Sequence, residues 1–154
     1  MSPNSNFSEL LSLFDGLEVR YLVVGGYALM QYTEPRYTKD IDLWVDATPE
    51  NAAKVFQALK QLGAPLSGIT VADFSTSGVF YQMGRPPVRV DVLTSLSGLN
   101  FPDCWERRVA GRFGTRNVWV IAIDDLIVNK RTVGRLQDLA DVERLEDVRK
   151  RRGA

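Results

Sequence analysis

Histidine is absent from this chain, and cysteine occurs once, at Cys104. Without histidine there is no Ser-His-Asp or Cys-His triad, no imidazole general base and almost no route to a transition-metal site. A lone cysteine excludes an internal disulfide and a cysteine-built zinc site, and it suits a reducing compartment. Cys104 itself reads as an inert small apolar residue. No apolar run approaches the ~20 residues that cross a bilayer. The opening MSPNSNFSELL carries neither the charged region nor the apolar stretch of a signal peptide. The expected location is cytoplasmic, with no membrane partner. Excess charge is missing too: 19 basic against 19 acidic residues give a formal net charge of zero. No global field therefore gathers nucleic acid or membrane. Chemistry that survives these exclusions runs on carboxylates, lysine, arginine, hydroxyls, or a hard metal ion held by oxygen.

The 154 residues are 45% apolar and 25% charged, the balance of a soluble globular protein. A chain of this length buries roughly 70% of its unfolded surface. With no repeat or low-complexity linker in view, the expectation is a single domain over 1–154 whose C-terminal segment, about 123–150, is helical.

Asn6 to Phe14 predicts a short amphipathic helix, with Asn6 as N-cap and Glu9 in capping-box position. VRYLVV, residues 19–24, is apolar and β-branched enough for a buried strand, stopped by Gly25 and Gly26, and YALMQY reads as a helix starting directly after them. DIDLWVD, residues 40–46, alternates: Ile41, Leu43 and Val45 share one face, and Asp40, Asp42, Trp44 and Asp46 the other. Thr48 as N-cap and Pro49 at the first helical position open a helix to about Gln61, closed by Gly63. A loop rich in Gly, Ser and Thr follows. GVFYQM and VRVDVL, joined at GRPP, predict a hairpin, and RRVAGRF with RNVWVIA a second. Asp124 is placed to cap a helix to about Val133. Arg135 to Lys150 carries a stripe of Leu136, Leu139, Val142, Leu145 and Val148, which marks a terminal helix packed on the body. The fold class is α/β or α+β, one mixed sheet flanked by helices.

Asp40 and Asp42, at i and i+2 of a strand, project from one face. Asp91 lies in a later strand of the same alternation; if the two strands neighbour each other, three acids converge. Two like charges near 4 Å repel by ~1 kcal/mol in bulk water and about 4 kcal/mol at an effective dielectric of 20. Arg89 is the only strand cation placed to offset this. A divalent metal such as Mg²⁺ or Mn²⁺, which takes carboxylate, phosphate and water oxygens, is the stronger candidate. A strand that ends in Gly-Gly and runs into a helix lets backbone approach a ligand, and aims N–H groups and the positive end of the helix dipole at an anion. A triphosphate there, with metal bridging it to Asp40 and Asp42 and with Asp91 beside an acceptor hydroxyl, makes a phosphoryl-transfer site that needs no histidine.

VVGGYAL, then DID, then VRVDVL resembles the DNA polymerase β-type minimal nucleotidyltransferases. Their pattern is a hydrophobic residue with Gly-Gly or Gly-Ser, then Asp-x-Asp, then a distant Asp on a strand. RYTKDIDLW is similar to the branch of abortive-infection (AbiEii-like) toxin nucleotidyltransferases and related bacterial proteins, in which Arg-x-Thr precedes the acidic pair. DDLIVNKRTVGRLQDLADV is similar to that branch's later helical segment. The resemblance implies a nucleotidyltransferase-like fold and transfer of an NMP from an NTP to a hydroxyl or amine acceptor, with release of pyrophosphate. It places Gly25 and Gly26 at the triphosphate, Asp40, Asp42 and Asp91 as catalytic residues and metal ligands, and Lys130 as a phosphate contact. Arg36 and Thr38 support the site. The partners implied are an NTP, an acceptor such as tRNA, protein or a small molecule, and a cognate toxin–antitoxin partner.

Blander readings stand beside these. Gly-Gly alone is an ordinary turn, and Asp-x-Asp alone a pair of solvated acids at a strand end. Arg135 and Asp138 read as an i, i+3 surface pair. Trp44 either stacks on a base or fills the core. RKRR, Arg149 to Arg152, meets RNA phosphates or simply complements the helix dipole. A non-catalytic nucleotide-binding or partner-binding module on the same scaffold is the alternative to an enzyme. A nuclease built on the same acids leaves Gly-Gly without a task.

Overall fold

A computed structural model describes residues 5–35, 40–85 and 88–153. Six strands form one mixed sheet in the order β3-β4-β2-β1-β6-β5. These are β1 (Tyr21–Val24), β2 (Asp40–Val45), β3 (Phe80–Arg85), β4 (Val88–Leu93), β5 (Val109–Phe113) and β6 (Arg116–Val120). β1 and β2 run antiparallel at the centre, while β4 lies parallel to β2 and β6 parallel to β1. Seven helices complete the described chain: α1 (Ser5–Gly16), α2 (Gly25–Tyr32), α3 (Pro49–Leu62), α4 (Val71–Phe74), α5 (Phe101–Glu106), α6 (Ile123–Val133) and α7 (Leu136–Gly153). This is the mixed sheet with flanking helices that the pattern predicts. Among the described residues no helix is long and apolar enough to cross a membrane.

The register follows from alternation. Tyr21 pairs with Val45 and Val23 with Leu43, so these residues share one face. α1 covers that face, Phe14 lying 5.6 Å from Tyr21 between ring centroids, and α3 packs on α1. On the opposite face Leu22 pairs with Trp44 and Val24 with Asp42. There Trp44, 1% exposed, meets Phe101 of α5 edge-on at 5.2 Å. The core reading of Trp44 therefore holds, since no base can reach its ring.

α3 starts and stops as its sequence requires. The Thr48 hydroxyl accepts from Asn51 N–H at 3.3 Å, Pro49 occupies the first turn, and Gly63 closes the helix at φ 85. Buried Asn51 also ties the ends of β1 and β2 together, accepting from Arg20 N–H at 2.8 Å and donating to Asp46 carbonyl oxygen at 2.8 Å.

Several elements differ from expectation. β1 starts at Tyr21, because the Arg20 backbone is taken by Asn51. α1 opens at Ser5, so Asn6 lies within the helix. The Gly-Ser-Thr loop contains α4, opened by a capping box between Thr70 and Asp73. α5 is also additional; it starts where Asn100 accepts from Asp103 N–H at 3.1 Å. Asp124 does not cap α6. The cap position is Ala122, and Asp124 in the first turn pairs with Arg149 of α7 at 2.8 Å. The terminal stripe is half used: Val142 and Leu145 are buried, while Leu136 is 89% exposed.

Candidate active site

Gly25 ends β1 and begins α2 in one step. Its φ of 65 lies in the left-handed region that glycine enters without penalty. The backbone thereby passes directly from extended Val24 into the helix, whose first N–H groups have no intrahelical acceptor. A side chain here is also excluded by space, because a Cβ on Gly25 would overlap Asp42 Oδ2. The glycine turn and the Asp42 carboxylate are thus in contact.

β2 and β4 run side by side with Asp42 opposite Asp91 and Asp40 opposite Arg89. The parallel pairing brings the two strands' acidic positions onto one face, and the carboxyl groups of Asp42 and Asp91 share a hydrogen bond. Burial, first, and then that hydrogen bond and the Asp91 and Asp40 charges push Asp42 up to about 7, against a smaller opposing pull from Lys130. Asp91 is 4% exposed and accepts from Gln82 Nε2 at 2.9 Å, across the β3–β4 hairpin.

Asp40 is oriented differently. Its Oδ1 receives Arg89 Nε at 3.0 Å in a half-exposed ion pair. Arg89, the one strand cation placed to offset the acids, thus engages the outermost of them. Among the described residues no group of three or more acidic, histidine or cysteine side chains lies close enough to hold a metal. The three aspartates share a face and the Asp40 charge acts on Asp42, but among the described residues they do not form one close cluster.

Lys130 of α6 is buried, with Nζ 2.9 Å from Asp141 and 3.5 Å from Asp138, both on α7. Its charge reaches Asp42 while its ammonium is held by these acids. Asp138 also receives Arg135 Nε at 2.7 Å, and that hydrogen bond is the main reason its carboxyl sits below the usual range. The expected surface pair is therefore half of a buried network: Asp138 is 2% exposed while Arg135 points to solvent. Arg36 and Thr38 lie outside the described residues.

One contrast organises these groups. Asp125, Asp138 and Asp141 are buried acids, and each has a cation: Arg107 at 2.9 Å for Asp125, Lys130 and Arg135 for the others. The buried Asp91 and its neighbour Asp42 have no ion-pair partner among the described residues. A buried carboxylate pair so placed is costly unless a proton or a cation is shared between the two. The hard oxygen donors fit a divalent cation of the Mg²⁺ type. Gln82 is the site residue that sequence reading missed.

Residues 5–151 match the family described as "Nucleotidyltransferase of unknown function (DUF6036)". Among solved structures the chain is similar to the lincomycin-bound lincosamide antibiotic adenylyltransferase LnuA. Identity is 17% and the TM-score 0.60, over 93% of this chain and 96% of that one. The antibiotic-resistance factor ANT(2'')-Ia is similar at 13% identity and a TM-score of 0.57, over 95% and 88% of the two chains. A Thermotoga maritima protein, TM1012, described as a nucleotidyltransferase, is similar at 14% identity and a TM-score of 0.50, over 97% and 94%. At these identities the likeness is one of fold. None of the curated proteins matches the sequence.

Proposed function

The chain belongs to the DUF6036 nucleotidyltransferase family, and from that premise we propose that it transfers an NMP from an NTP to a hydroxyl or amine acceptor, releasing pyrophosphate. The observation that carries this reading is the Asp42–Asp91 pair, Asp91 buried and Asp42 partly so, without an ion-pair partner among the described residues and in contact with a glycine turn that opens a helix. A buried anion pair beside a backbone anion cradle is a poor way to stabilise a fold. It is a good way to hold a positive ion against a polyphosphate.

In this reading the N–H groups at the start of α2, from Gly25 and Gly26 onward, bind the triphosphate. Asp42 and Asp91 are the residues that would hold a divalent cation, and Asp40, on the same strand face, is the third candidate ligand. Bound there, the ion would neutralise phosphate charge as it builds on the leaving group. Gln82 fixes the Asp91 carboxylate by donating to its Oδ1. The acceptor oxygen or nitrogen forms a bond to the α-phosphorus as the bond to the bridging oxygen breaks. Pyrophosphate leaves, and the acceptor's proton passes to Asp91. Lys130 supplies positive background beneath the site, and its phosphate contact belongs to the same proposal.

LnuA is a lincosamide adenylyltransferase. Transfer of an NMP is the expectation here. Purified protein incubated with α-labelled NTP, Mg²⁺ and cell extract transfers label to an acceptor, and Asp42→Asn or Asp91→Asn abolishes the transfer. Label transfer that survives both substitutions refutes the assignment.

A further inference from the structure

Most cations near α7 are spoken for. Arg131 pairs with Glu146 at 2.9 Å, Arg135 with Asp138, and Arg149 with Asp124 and Glu146. Arg144, Arg151 and Arg152 of α7 are different, for none has an ion-pair partner among the described residues. All three line one cleft of about 600 Å³ between α7 and the C-terminal end of α2. Tyr32 forms its α2 side. The Tyr32 hydroxyl donates to Ile121 carbonyl oxygen at 2.6 Å, which fixes the ring, and the Arg152 guanidinium lies 5.5 Å from the ring centroid. Arg151 Nε donates only to its own helix, to Asp147 carbonyl oxygen at 3.4 Å. Glu34 and Asp147 also line the cleft, yet neither closes on a guanidinium.

Three guanidiniums without an ion-pair partner among the described residues, against two carboxylates in the same lining, are donors awaiting acceptors. Arginine forks match phosphate oxygens in a way a structural role does not require. Arg144 and Arg151 are seven residues apart on one helix face, about 10 Å along the axis, which is more than one phosphate spans. Tyr32 is likewise seven residues along α2 from Gly25, again about 10 Å. The cleft is thus separate from the glycine turn, which already has the triphosphate to hold, yet within reach of one extended molecule.

We propose that this cleft is the acceptor subsite, and that the acceptor carries phosphate: its groups rest on Arg144, Arg151 and Arg152 while its reacting hydroxyl lies at Asp42 and Asp91. The assignment rests on the transferase reading above, but binding tests it without transfer. Two probes separate the sources of phosphate, a short single-stranded RNA with a free 3′ hydroxyl and a nucleoside 5′-monophosphate. Both are titrated against the full chain without NTP, over a salt series. One of the two binds. The triple substitution Arg144→Gln, Arg151→Gln, Arg152→Gln weakens it at least about tenfold. For RNA it also makes the slope of log K against log salt shallower by about 2, near 0.7 for each lost contact. These side chains are exposed, so the variant folds, and its thermal shift with NTP and Mg²⁺ is that of the wild type. Arg149→Gln, on the same helix but held by Asp124, binds normally. The nucleotide-dependent thermal shift and the acceptor titration are read separately, so failure of the transferase reading and failure of the acceptor subsite are distinguishable. The proposal is overturned if neither probe binds, if the triple variant binds as tightly as the wild type, or if Arg149→Gln loses as much as a cleft substitution.

Discussion

Asp42→Asn tests the site through stability rather than activity. Asp42 has its carboxyl raised from 3.8 to about 7, by burial first and then by Asp91. The folded state therefore holds a proton that the unfolded chain has released above about pH 4. Stability is fullest below the unfolded value and falls as pH rises toward the folded one, because the folded state binds more protons across that window. At 1.36 kcal/mol for each unit, the loss is about 4 kcal/mol by pH 8, more than half of it between pH 5 and pH 8. For a chain of this size that corresponds to roughly 8–16 °C of melting temperature. Asparagine carries no such proton and can donate its amide to Asp91. In chelator, the variant is then more stable than the wild type at pH 8 and nearly equal to it at pH 4. Urea denaturation of both proteins across that range reads the difference. Parallel pH profiles would show that Asp42 does not titrate in the folded protein and would refute the buried-pair account. Added Mg²⁺ stabilises the wild type at pH 8 and leaves the variant unmoved.

Gly25→Ala imposes a left-handed φ on a residue with a Cβ and drives that Cβ into Asp42. The conformation alone costs about 1–2 kcal/mol, and both urea midpoint and NTP-dependent thermal shift should fall. Lys130→Met leaves Asp138 and Asp141 buried with one cation fewer. Breaking such a network costs about 3–5 kcal/mol, and adding Asp141→Asn to Lys130→Met should recover part of the loss in the same unfolding assay. Cys104 is fully buried, and burial, followed by the nearby Asp125 charge, pushes its thiol up to about 12. Iodoacetamide should therefore label it at pH 8 only once denaturant unfolds the chain, and prompt labelling of native protein would contradict its placement.

The sheet centre was legible because β2 alternates from Asp40 to Leu43 before its buried end and α3 carries both its cap and its stop. The Asp42–Asp91 meeting was legible in part: each strand places its acid in phase with a buried run, so neighbouring strands bring both to one face. Gln82 was hidden by register. A turn over Gly84 to Pro87 would set Phe80 across from Asp91, whereas the strands continue to Arg85 and Val88 and set Gln82 there. A shift of two residues keeps the face and changes the partner. α4 and α5 are four and six residues long, too short for periodicity to reveal, and only the Asn100 cap with Pro102 marks the second.

What no local pattern could give is the charge state of the network under the site. Asp138 and Asp141 read as exposed helix acids until α7 docks on α6 and buries them against Lys130. Lys130 and Arg135 then face Asp138 and Asp141, two positive charges against two negative. Asp138 and Asp141 oppose the field of Lys130, whose pull on Asp42 is smaller than the push of burial and of Asp91. Had α7 offered Lys130 no acids, its charge would act on the Asp42–Asp91 pair undiminished and reduce that pair's need for another cation. The docking of the C-terminal helix is therefore part of what keeps the buried pair short of positive charge, although no residue of α7 is needed to make contact with either aspartate.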